Sequence, residues 1–358
     1  MGFADEDRDL EQTRETLRTW LAGQLSVPAE GLKVEELEAP LGTGFSSDTL
    51  LCELVQTGPQ RETREGLVVR LQPEETIIFP DPDVGLQRKV LQMLAPTDVP
   101  VPRVRWYEDD SSVLGAAFYV MDRVDGEIPT DNPPLHEDGW IAEELTEAQR
   151  EQVWWNGFEA MCKVHRLDWK ALGFDFLLDP ERGPTPLSQQ LDYYEKFFAW
   201  GMPAERHPDI AAAMKYLQEN RPAEEQIALC WGDSRLANQI FSNLQCVAVL
   251  DWEMVRVGDP VQDLAWWLAS DRCFTEGLDL PRLPGMPGKD ESIPRWEKAT
   301  GFSAKDFAYY EVLALTRFSM QMARVGQYMK KIEIIDEENE FDYENLASVT
   351  LRRAMEAV

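Results

Sequence analysis

The most constraining feature of this sequence is a short segment in which two apolar runs each end in polar, oxygen-bearing residues. The first run ends at Trp231 and leads into Gly232-Asp233, with Asn238 five residues further on. The second run, 247–250, ends at Asp251. If these two runs are strands that pair as a hairpin, one amide oxygen and two carboxylates can converge. Hard oxygen ligands of this kind suit Mg²⁺.

Composition and charge narrow the functional classes that fit this segment. The chain has 358 residues and a net charge of −30, from 65 acidic and 35 basic residues. A chain this acidic repels a phosphate backbone, so we expect no nucleic acid partner. The spread of acids indicates a strongly solvated surface, and attraction of a cationic substrate is the second interpretation. A nucleotide site would need local cations and a metal ion.

No apolar run is long enough for a membrane span, and the acidic start lacks the features of a secretory signal. We therefore predict a cytoplasmic protein without membrane association. The five cysteines are widely spaced and include no C-x-x-C pair, which is typical of buried free thiols. The three histidines have no ligand spacing and do not predict a zinc site.

Apolar periodicity divides the chain into a first part with strands and a second, mainly helical part. In the first part we predict helices over 5–25 and 84–94 and strands over 50–55, 66–71 and 117–124. In the second part we predict one strand over 247–250, a loop over 277–292, and helices over 147–167, 187–200, 209–219, 307–328 and 343–357. This pattern indicates an α+β fold with a boundary after residue 124.

The ordered set of motifs resembles the aminoglycoside phosphotransferase family, a branch of the protein-kinase-like fold. After Asp251 come Glu253, the segment 258–260 (Gly-Asp-Pro) and the segment 263–265 (Asp-Leu-Ala), in the order of that family. The resemblance implies a bilobal fold with a small, mainly β, N-terminal lobe and a larger, mainly helical, C-terminal lobe. Residues 1–124 would bind the nucleotide, and residues 125–358 would supply catalysis and bind the substrate.

The resemblance also implies roles for residues of the second lobe. Asp233 matches the catalytic aspartate that orients the attacking hydroxyl, and Arg235 stands where protein kinases carry a phosphate-contacting lysine. Asn238 and Asp251 match the metal ligands, with Glu253 supporting the metal from further out. An aspartate at the position of Asp263 braces the catalytic loop in the family. From its apolar helix neighbours, we interpret His165 as a hydrogen-bonded structural residue rather than a catalytic base.

In the first lobe the resemblance implies a nucleotide site of turn, strand and hinge residues. The turn over residues 42–47 would approach the phosphates of the nucleotide. Arg70 would take the place of the phosphate-contacting lysine. The segment 117–126 would be the hinge between the lobes, beside the adenine. Two glycines in a turn also fit an ordinary hairpin, Arg70 fits an exposed strand residue, and Met121 fits a core residue. The candidate nucleotide-binding residues are Gly42, Gly44, Ser46, Ser47, Arg70, Met121, Asp122 and Val124.

Segments elsewhere in the chain resemble a subgroup that includes the kinase-like domain of some acyl-CoA dehydrogenase family proteins. They are 98–102, 118–121, 165–169 and 309–311. We therefore predict a kinase that uses ATP (or GTP) and Mg²⁺ to phosphorylate a hydroxyl group of a small molecule. The acceptor is left open between an amine-bearing antibiotic and a hydroxylated acyl thioester, and so is the oligomeric state.

A nucleotide-binding pseudokinase or scaffold without turnover is the alternative hypothesis. Three departures from the family pattern motivate it: Trp231 replaces a histidine, Arg70 replaces a lysine, and Gln87 stands where a helix glutamate would pair with that lysine. Arginine and lysine are not interchangeable where geometry is tight. A serine hydrolase is a poor third candidate because the chain contains no G-x-S-x-G elbow.

Overall fold

In the computed structural model, the described residues are 8–39, 48–57, 61–73, 77–223 and 225–358. The chain forms two compact units, Met1–Asp125 and Gly126–Val358. The division predicted after residue 124 differs from this one by one residue. The first unit is built on an antiparallel sheet and the second is mostly helical, as the predicted α+β arrangement requires.

Within its described residues, the first unit contains two helices and five strands. The sheet order is β1-β2-β3-β5-β4, and every neighbouring pair is antiparallel. The elements are α1 (Leu10–Leu25), β1 (Leu32–Glu38), β2 (Asp48–Thr57), β3 (Glu62–Leu71), α2 (Val84–Leu94), β4 (Val104–Glu108) and β5 (Phe118–Asp122). Helix α2 has the predicted bounds, β2 and β3 are longer than the predicted strands, and no strand was predicted at β1 or β4.

Alternation along β3 decides which side chains face the core of this unit. Leu67, Val69 and Leu71 are fully buried and share one face of the sheet. They form one cluster with Leu17 and Leu21 of α1, so the leading helix covers this face. Because successive strand residues point to opposite faces, Arg70 lies on the face turned away from α1.

Within its described residues, the second unit contains eight helices and four short strands. No helix in the described part of the chain combines the length and apolar character of a membrane span. The elements are α3 (Trp140–Glu143), α4 (Glu147–His165), α5 (Pro186–Gly201), α6 (Pro208–Glu219), β6 (Ala228–Cys230), β7 (Gln239–Ser242), β8 (Gln245–Val249), β9 (Arg256–Gly258), α7 (Val261–Cys273), α8 (Lys289–Thr300), α9 (Phe307–Lys331) and α10 (Leu346–Met355).

Three helices of the second unit were not predicted: the short α3, α7 and α8. Every residue of α7 from Val261 to Ser270 is buried, so the helix has no polar face and shows no amphipathic period. Helix α8 begins at Lys289, which makes the predicted loop over 277–292 wrong in its last four residues. The sequence of α8 did not predict a helix because it is highly charged and contains Pro294, and proline is unfavourable in helix interiors.

The four short strands bring two loops of the second unit together. Strand β6 pairs with β9 and β7 pairs with β8, both antiparallel. The expected hairpin between the run ending at Trp231 and the run 247–250 does not form, because the chain between them supplies β7 as the partner of β8 and β6 pairs with β9. Because the two pairs are nested in the chain, the loop 231–238 and the turn 250–255 lie next to each other. The backbone N–H of Leu250 donates to the carbonyl oxygen of Asn238 at 2.8 Å, which joins the two segments directly.

Candidate active site

The loop 231–238 turns sharply at Gly232. The φ of this residue is +95°, a left-handed value that favours glycine. A Cβ here would lie 2.1 Å from the carbonyl oxygen of Met254, in the turn that follows β8. The glycine therefore allows direct backbone contact between the segment that carries Asp233 and the turn that carries Asp251.

Asp263, in the first turn of α7, holds the backbone of this loop. Its fully buried carboxylate accepts hydrogen bonds from the N–H groups of Trp231 at 2.6 Å and Gly232 at 2.9 Å. The hydroxyl of Ser234 donates to the carbonyl oxygen of Asp263 at 2.7 Å. These contacts give Asp263 the bracing position that the family resemblance implied.

His165, at the end of α4, supports Asp263 from behind. Its Nδ1 accepts a hydrogen bond from Nε1 of Trp296 at 3.0 Å, so the ring proton is on Nε2. Nε2 donates to Oδ2 of Asp263 at 3.1 Å, and neither side chain is exposed. The interpretation of His165 as a hydrogen-bonded structural residue is confirmed.

The carboxylate of Asp233 is hydrogen-bonded on one oxygen. Oδ1 accepts from Nε1 of Trp266 at 2.7 Å and from Nε of Arg235 at 2.9 Å. Among the described residues, no donor is hydrogen-bonded to Oδ2. Oδ2 is also not one of the buried polar atoms without a partner, so solvent can reach it. The side chain is 7% exposed, so Oδ2 is the oxygen that a ligand hydroxyl could reach.

Arg235 joins Asp233 to a second carboxylate, Asp131, which the sequence analysis missed. Nη1 of Arg235 is bonded to Oδ2 of Asp131, and both side chains are partly exposed. Burial acts to lower the pKa of Arg235, but the carboxylates of Asp131, Asp233 and Asp251 raise it above its ordinary value. Burial raises the pKa of Asp131, and Asp233 raises it further against the lowering effect of Arg235. The arginine is therefore held in its charged form at the centre of three acids.

Asn238 and Asp251, the predicted metal ligands, lie on adjacent segments that the hydrogen bond from Leu250 to Asn238 joins. Nδ2 of Asn238 donates to the carbonyl oxygen of Asp233 at 3.1 Å, which leaves the amide oxygen for a ligand. Asp251 has a φ of +59°, a left-handed conformation that costs a non-glycine residue roughly 1–2 kcal/mol. Strain of this kind is concentrated at functional sites.

The donor set fits Mg²⁺ better than a metal that needs a complete protein cage. Within the described ranges, no group of three or more histidine, cysteine, aspartate or glutamate side chains is placed to hold one ion. Mg²⁺ commonly takes one or two carboxylates and completes its shell with waters and phosphate oxygens. An amide oxygen from Asn238 and a carboxylate from Asp251 would hold it in that way.

Trp231, which replaces a histidine of the family pattern, has a structural role here. Its Nε1 donates to the carbonyl oxygen of Leu250 at 2.8 Å, immediately before Asp251. The ring is fully buried and lies 6.1 Å from that of Trp252. The tryptophan therefore ties the loop of Asp233 to the turn of Asp251 and does not remove the site.

The first unit contains the described part of the predicted nucleotide site. Arg70 lies between Thr49 of β2 and Tyr119 of β5, and its Nη1 donates to Oγ1 of Thr49 at 3.0 Å. Oε1 of Gln87 accepts a long hydrogen bond, 3.5 Å, from the hydroxyl of Tyr119. Gln87 thus bonds the strand neighbour of Arg70, which differs from the glutamate–lysine pairing of the family pattern.

The predicted hinge residues follow one another at the end of β5. Met121 is 8% exposed, so it belongs to the interior of the sheet. The backbone N–H of Asp122 donates to the carbonyl oxygen of Arg103 at 2.9 Å, so this donor of the predicted hinge is already bonded within the unit. Val124 lies just beyond the strand. The remaining predictions lie outside the described residues: Gly42, Gly44, Ser46 and Ser47.

The fold is that of the kinase-like phosphotransferase class, and Asp233, Asn238 and Asp251 stand in the order that the resemblance implied. The model of the phosphotransferase enzyme family (APH) matches residues 39–287 of this chain. The chain therefore belongs to this family. The family and the kinase-like fold predicted from the sequence are both confirmed.

Individual relatives agree with this assignment. The chain is 26% identical over 326 residues to acyl-CoA dehydrogenase family member 10 of Mus musculus, covering 85% of this chain and 29% of that protein. It spans 29% to 42% of the length of the acyl-CoA dehydrogenase relatives that it matches. The predicted resemblance to this subgroup is confirmed.

Solved structures share the fold. A candidate aminoglycoside phosphotransferase from Ralstonia eutropha superimposes with a TM-score of 0.69 at 21% identity, covering 96% of this chain and 98% of that one. The ternary complex of streptomycin, ATP and APH(2")-IIa gives a TM-score of 0.53 at 16% identity, covering 94% of this chain and 98% of that one. At these identities the likeness concerns the fold.

Proposed function

We propose that this protein is a kinase that transfers the γ-phosphoryl group of ATP or GTP to a hydroxyl group of a small molecule, with Mg²⁺ as cofactor. The observation that carries the proposal is the one-sided bonding of Asp233, whose Oδ1 has two donors while Oδ2 is left for an acceptor hydroxyl. Asn238 and Asp251 supply oxygen ligands for the metal. Phosphoryl transfer depends mainly on such positioning and charge stabilisation.

In the proposed reaction, Oδ2 of Asp233 accepts a hydrogen bond from the acceptor hydroxyl and orients its oxygen towards the γ-phosphorus. A new P–O bond forms while the bond from the γ-phosphorus to the β–γ bridging oxygen breaks, and the nucleoside diphosphate leaves. The hydroxyl proton passes to Asp233 and then to solvent. Arg235 offsets negative charge on the transferred group. Bound Mg²⁺ would neutralise charge on the phosphate oxygens.

Nucleotide binding is proposed for the first unit. The face of the sheet turned away from α1 offers Arg70 as a cation, and the end of β5 offers the carbonyl oxygen of Asp122. ATP in the named complex of a protein with the same fold supports a nucleoside triphosphate as the phosphoryl donor. The proposed residues remain Gly42, Gly44, Ser46, Ser47, Arg70, Met121, Asp122 and Val124.

Two classes of acceptor are open. Streptomycin in the named complex and the net charge of −30 favour an amine-bearing alcohol. The acyl-CoA dehydrogenase names of the relatives favour a hydroxylated acyl thioester. A thermal-shift screen with Mg²⁺ and a non-hydrolysable ATP analogue separates these classes, because a true ligand raises the melting temperature by mass action.

A pseudokinase is the second candidate, and one observation in the first unit favours it. Gln87 bonds Tyr119, whereas the family pattern has a glutamate at that place, which pairs with the lysine at the position of Arg70. A neutral amide would hold the cation less firmly than a carboxylate. The hydrogen bond from Trp231 to Leu250 favours the kinase instead, because it joins the loop of Asp233 to the turn of Asp251.

Turnover decides between the two candidates. Purified protein with Mg-ATP or Mg-GTP should release phosphate slowly and should phosphorylate at least one alcohol of a panel containing aminoglycosides and hydroxyacyl thioesters. Asp233→Asn should abolish both reactions and leave nucleotide binding intact. Asp279→Asn, at an 89% exposed side chain, is the matched control and should behave as wild type. Nucleotide binding with no phosphorylated product from any panel member would establish the pseudokinase instead.

A further inference from the structure

Two adjacent tryptophans of α7 differ in one respect. Trp266 and Trp267 are both 2% exposed. Nε1 of Trp266 donates to Oδ1 of Asp233 at 2.7 Å. Nε1 of Trp267 is enclosed and has no hydrogen-bond partner in the described part of the chain. The hydrogen bond to the carboxylate is therefore a specific feature of Trp266 and not a general property of tryptophan in this helix.

The indole N–H of Trp266 makes the two oxygens of Asp233 unequal. An ionised carboxylate has two equivalent acceptors, and rotation about χ2 exchanges them. A short charge-assisted bond to a rigid, buried ring fixes one oxygen on the inner side of the site. The second donor to Oδ1, Arg235, is 24% exposed and is shared with Asp131, so it alone fixes the carboxylate less firmly.

The ring of Trp266 is held in turn by α9. The guanidinium carbon of Arg317 lies 4.6 Å from the centre of the Trp266 ring, within cation–π range. Nη2 of Arg317 donates to the carbonyl oxygen of Gly232 at 2.8 Å, one residue before Asp233. Arg317 is fully buried. One side chain thus contacts both the indole that bonds Asp233 and the backbone that carries it.

We propose that Trp266 is a positioning residue that directs Oδ2 of Asp233 to the acceptor hydroxyl, and that Arg317 holds Trp266 in place. This inference rests on the proposed kinase function. It states that two buried residues, neither of them among the predicted site residues, orient the carboxylate of Asp233. Trp266 acts through Asp233, so its loss should lower kcat and leave nucleotide affinity unchanged.

The test compares Trp266→Phe with Trp267→Phe, which make the same chemical change at neighbouring, equally buried positions. Turnover of Mg-ATP is measured with water as acceptor and with any alcohol found in the panel. Trp266→Phe should lower kcat by roughly tenfold or more, the usual scale for loss of a charge-assisted hydrogen bond, at unchanged KM for ATP. Trp267→Phe should retain wild-type kcat. Equal kcat values for both variants, or an effect confined to KM, would overturn the proposal.

An NMR measurement tests the contact without turnover. In protein labelled with ¹⁵N at the tryptophan indoles, the signal absent from Trp266→Phe identifies Trp266, and that absent from Trp267→Phe identifies Trp267. Asp233→Asn should shift the Trp266 signal and leave the Trp267 signal in place. An unmoved Trp266 signal would contradict the contact and the inference. If the wild type shows no turnover, the kinase function and the inference fail together, whereas turnover with an unaffected Trp266→Phe overturns the inference alone.

Discussion

Replacement of Asp263 by asparagine is the most direct test of how the loop 231–238 is held. The substitution keeps the size of the side chain and removes its charge. It places an amide NH₂ group where one of two acceptor oxygens stood. Because three donors converge on this fully buried carboxylate, the amide cannot satisfy them all.

The structure indicates which orientation the amide would take. At the position of Oδ2 its NH₂ group would face two donors, Trp231 and His165, whereas at Oδ1 it would face only the N–H of Gly232. The second orientation leaves one buried N–H unpaired, at about 1–3 kcal/mol, and weakens the two other bonds by about 1 kcal/mol each. Since a neutral amide is easier to bury than a carboxylate, we expect a net loss of about 3 kcal/mol.

Thermal unfolding followed by circular dichroism checks this value. For a unit the size of Gly126–Val358, a loss of about 3 kcal/mol corresponds to a decrease in Tm of roughly 6–12 °C. Asp279→Asn, at an exposed position, should leave Tm unchanged. A Tm for Asp263→Asn within about 1 °C of wild type would refute the reasoning, because a three-donor acceptor of this kind cannot be replaced without loss.

Two further predictions concern the metal and pH. Asn238→Ala removes a proposed metal oxygen and should raise the Mg²⁺ concentration needed for half-maximal turnover, with the exposed Asn220→Ala as control; an unchanged requirement would exclude Asn238 from the metal site. Burial raises the pKa of Asp259 to about 6, whereas an unfolded aspartate titrates near about 3.9. The folded state therefore binds the extra proton, and its stability should fall as pH rises from about 4 to about 6. The free energy of unfolding in urea should decrease less across this pH range for Asp259→Asn than for wild type. An equal dependence on pH in the two proteins would contradict the raised pKa of Asp259.

The parts of the site that the sequence predicts are those carried by local motifs. Asp233 and Asp251 follow the short strands β6 and β8, and Asn238 directly precedes β7, so the nearby apolar runs mark all three residues in the sequence. Asp131 bonds Arg235 across 104 residues of sequence, and Trp266 bonds Asp233 across 33 residues. The periodicity of a local segment does not depend on contacts with distant residues, so it does not predict them. A tryptophan in an apolar segment predicts only a core residue.

Helix boundaries were predictable where the chain carries terminal signals. Thr146 and Gln149 form a capping box, and α4 begins at Glu147 as predicted. Asp83 caps α2, which also begins where predicted. Helix α7 has no side-chain cap and no polar face, because it is enclosed on all sides. Its helical form is decided by tertiary packing, which a single sequence does not display.

The link from Arg317 to Gly232 has a consequence for biosynthesis. The two residues are 85 positions apart, and the loop that holds Asp233 is synthesised first. At a translation rate of about 5–20 residues per second, roughly 4–17 s pass before Arg317 has been added. A nascent chain stalled within that interval would contain every residue of the motif and yet lack the arginine that fastens its backbone from behind.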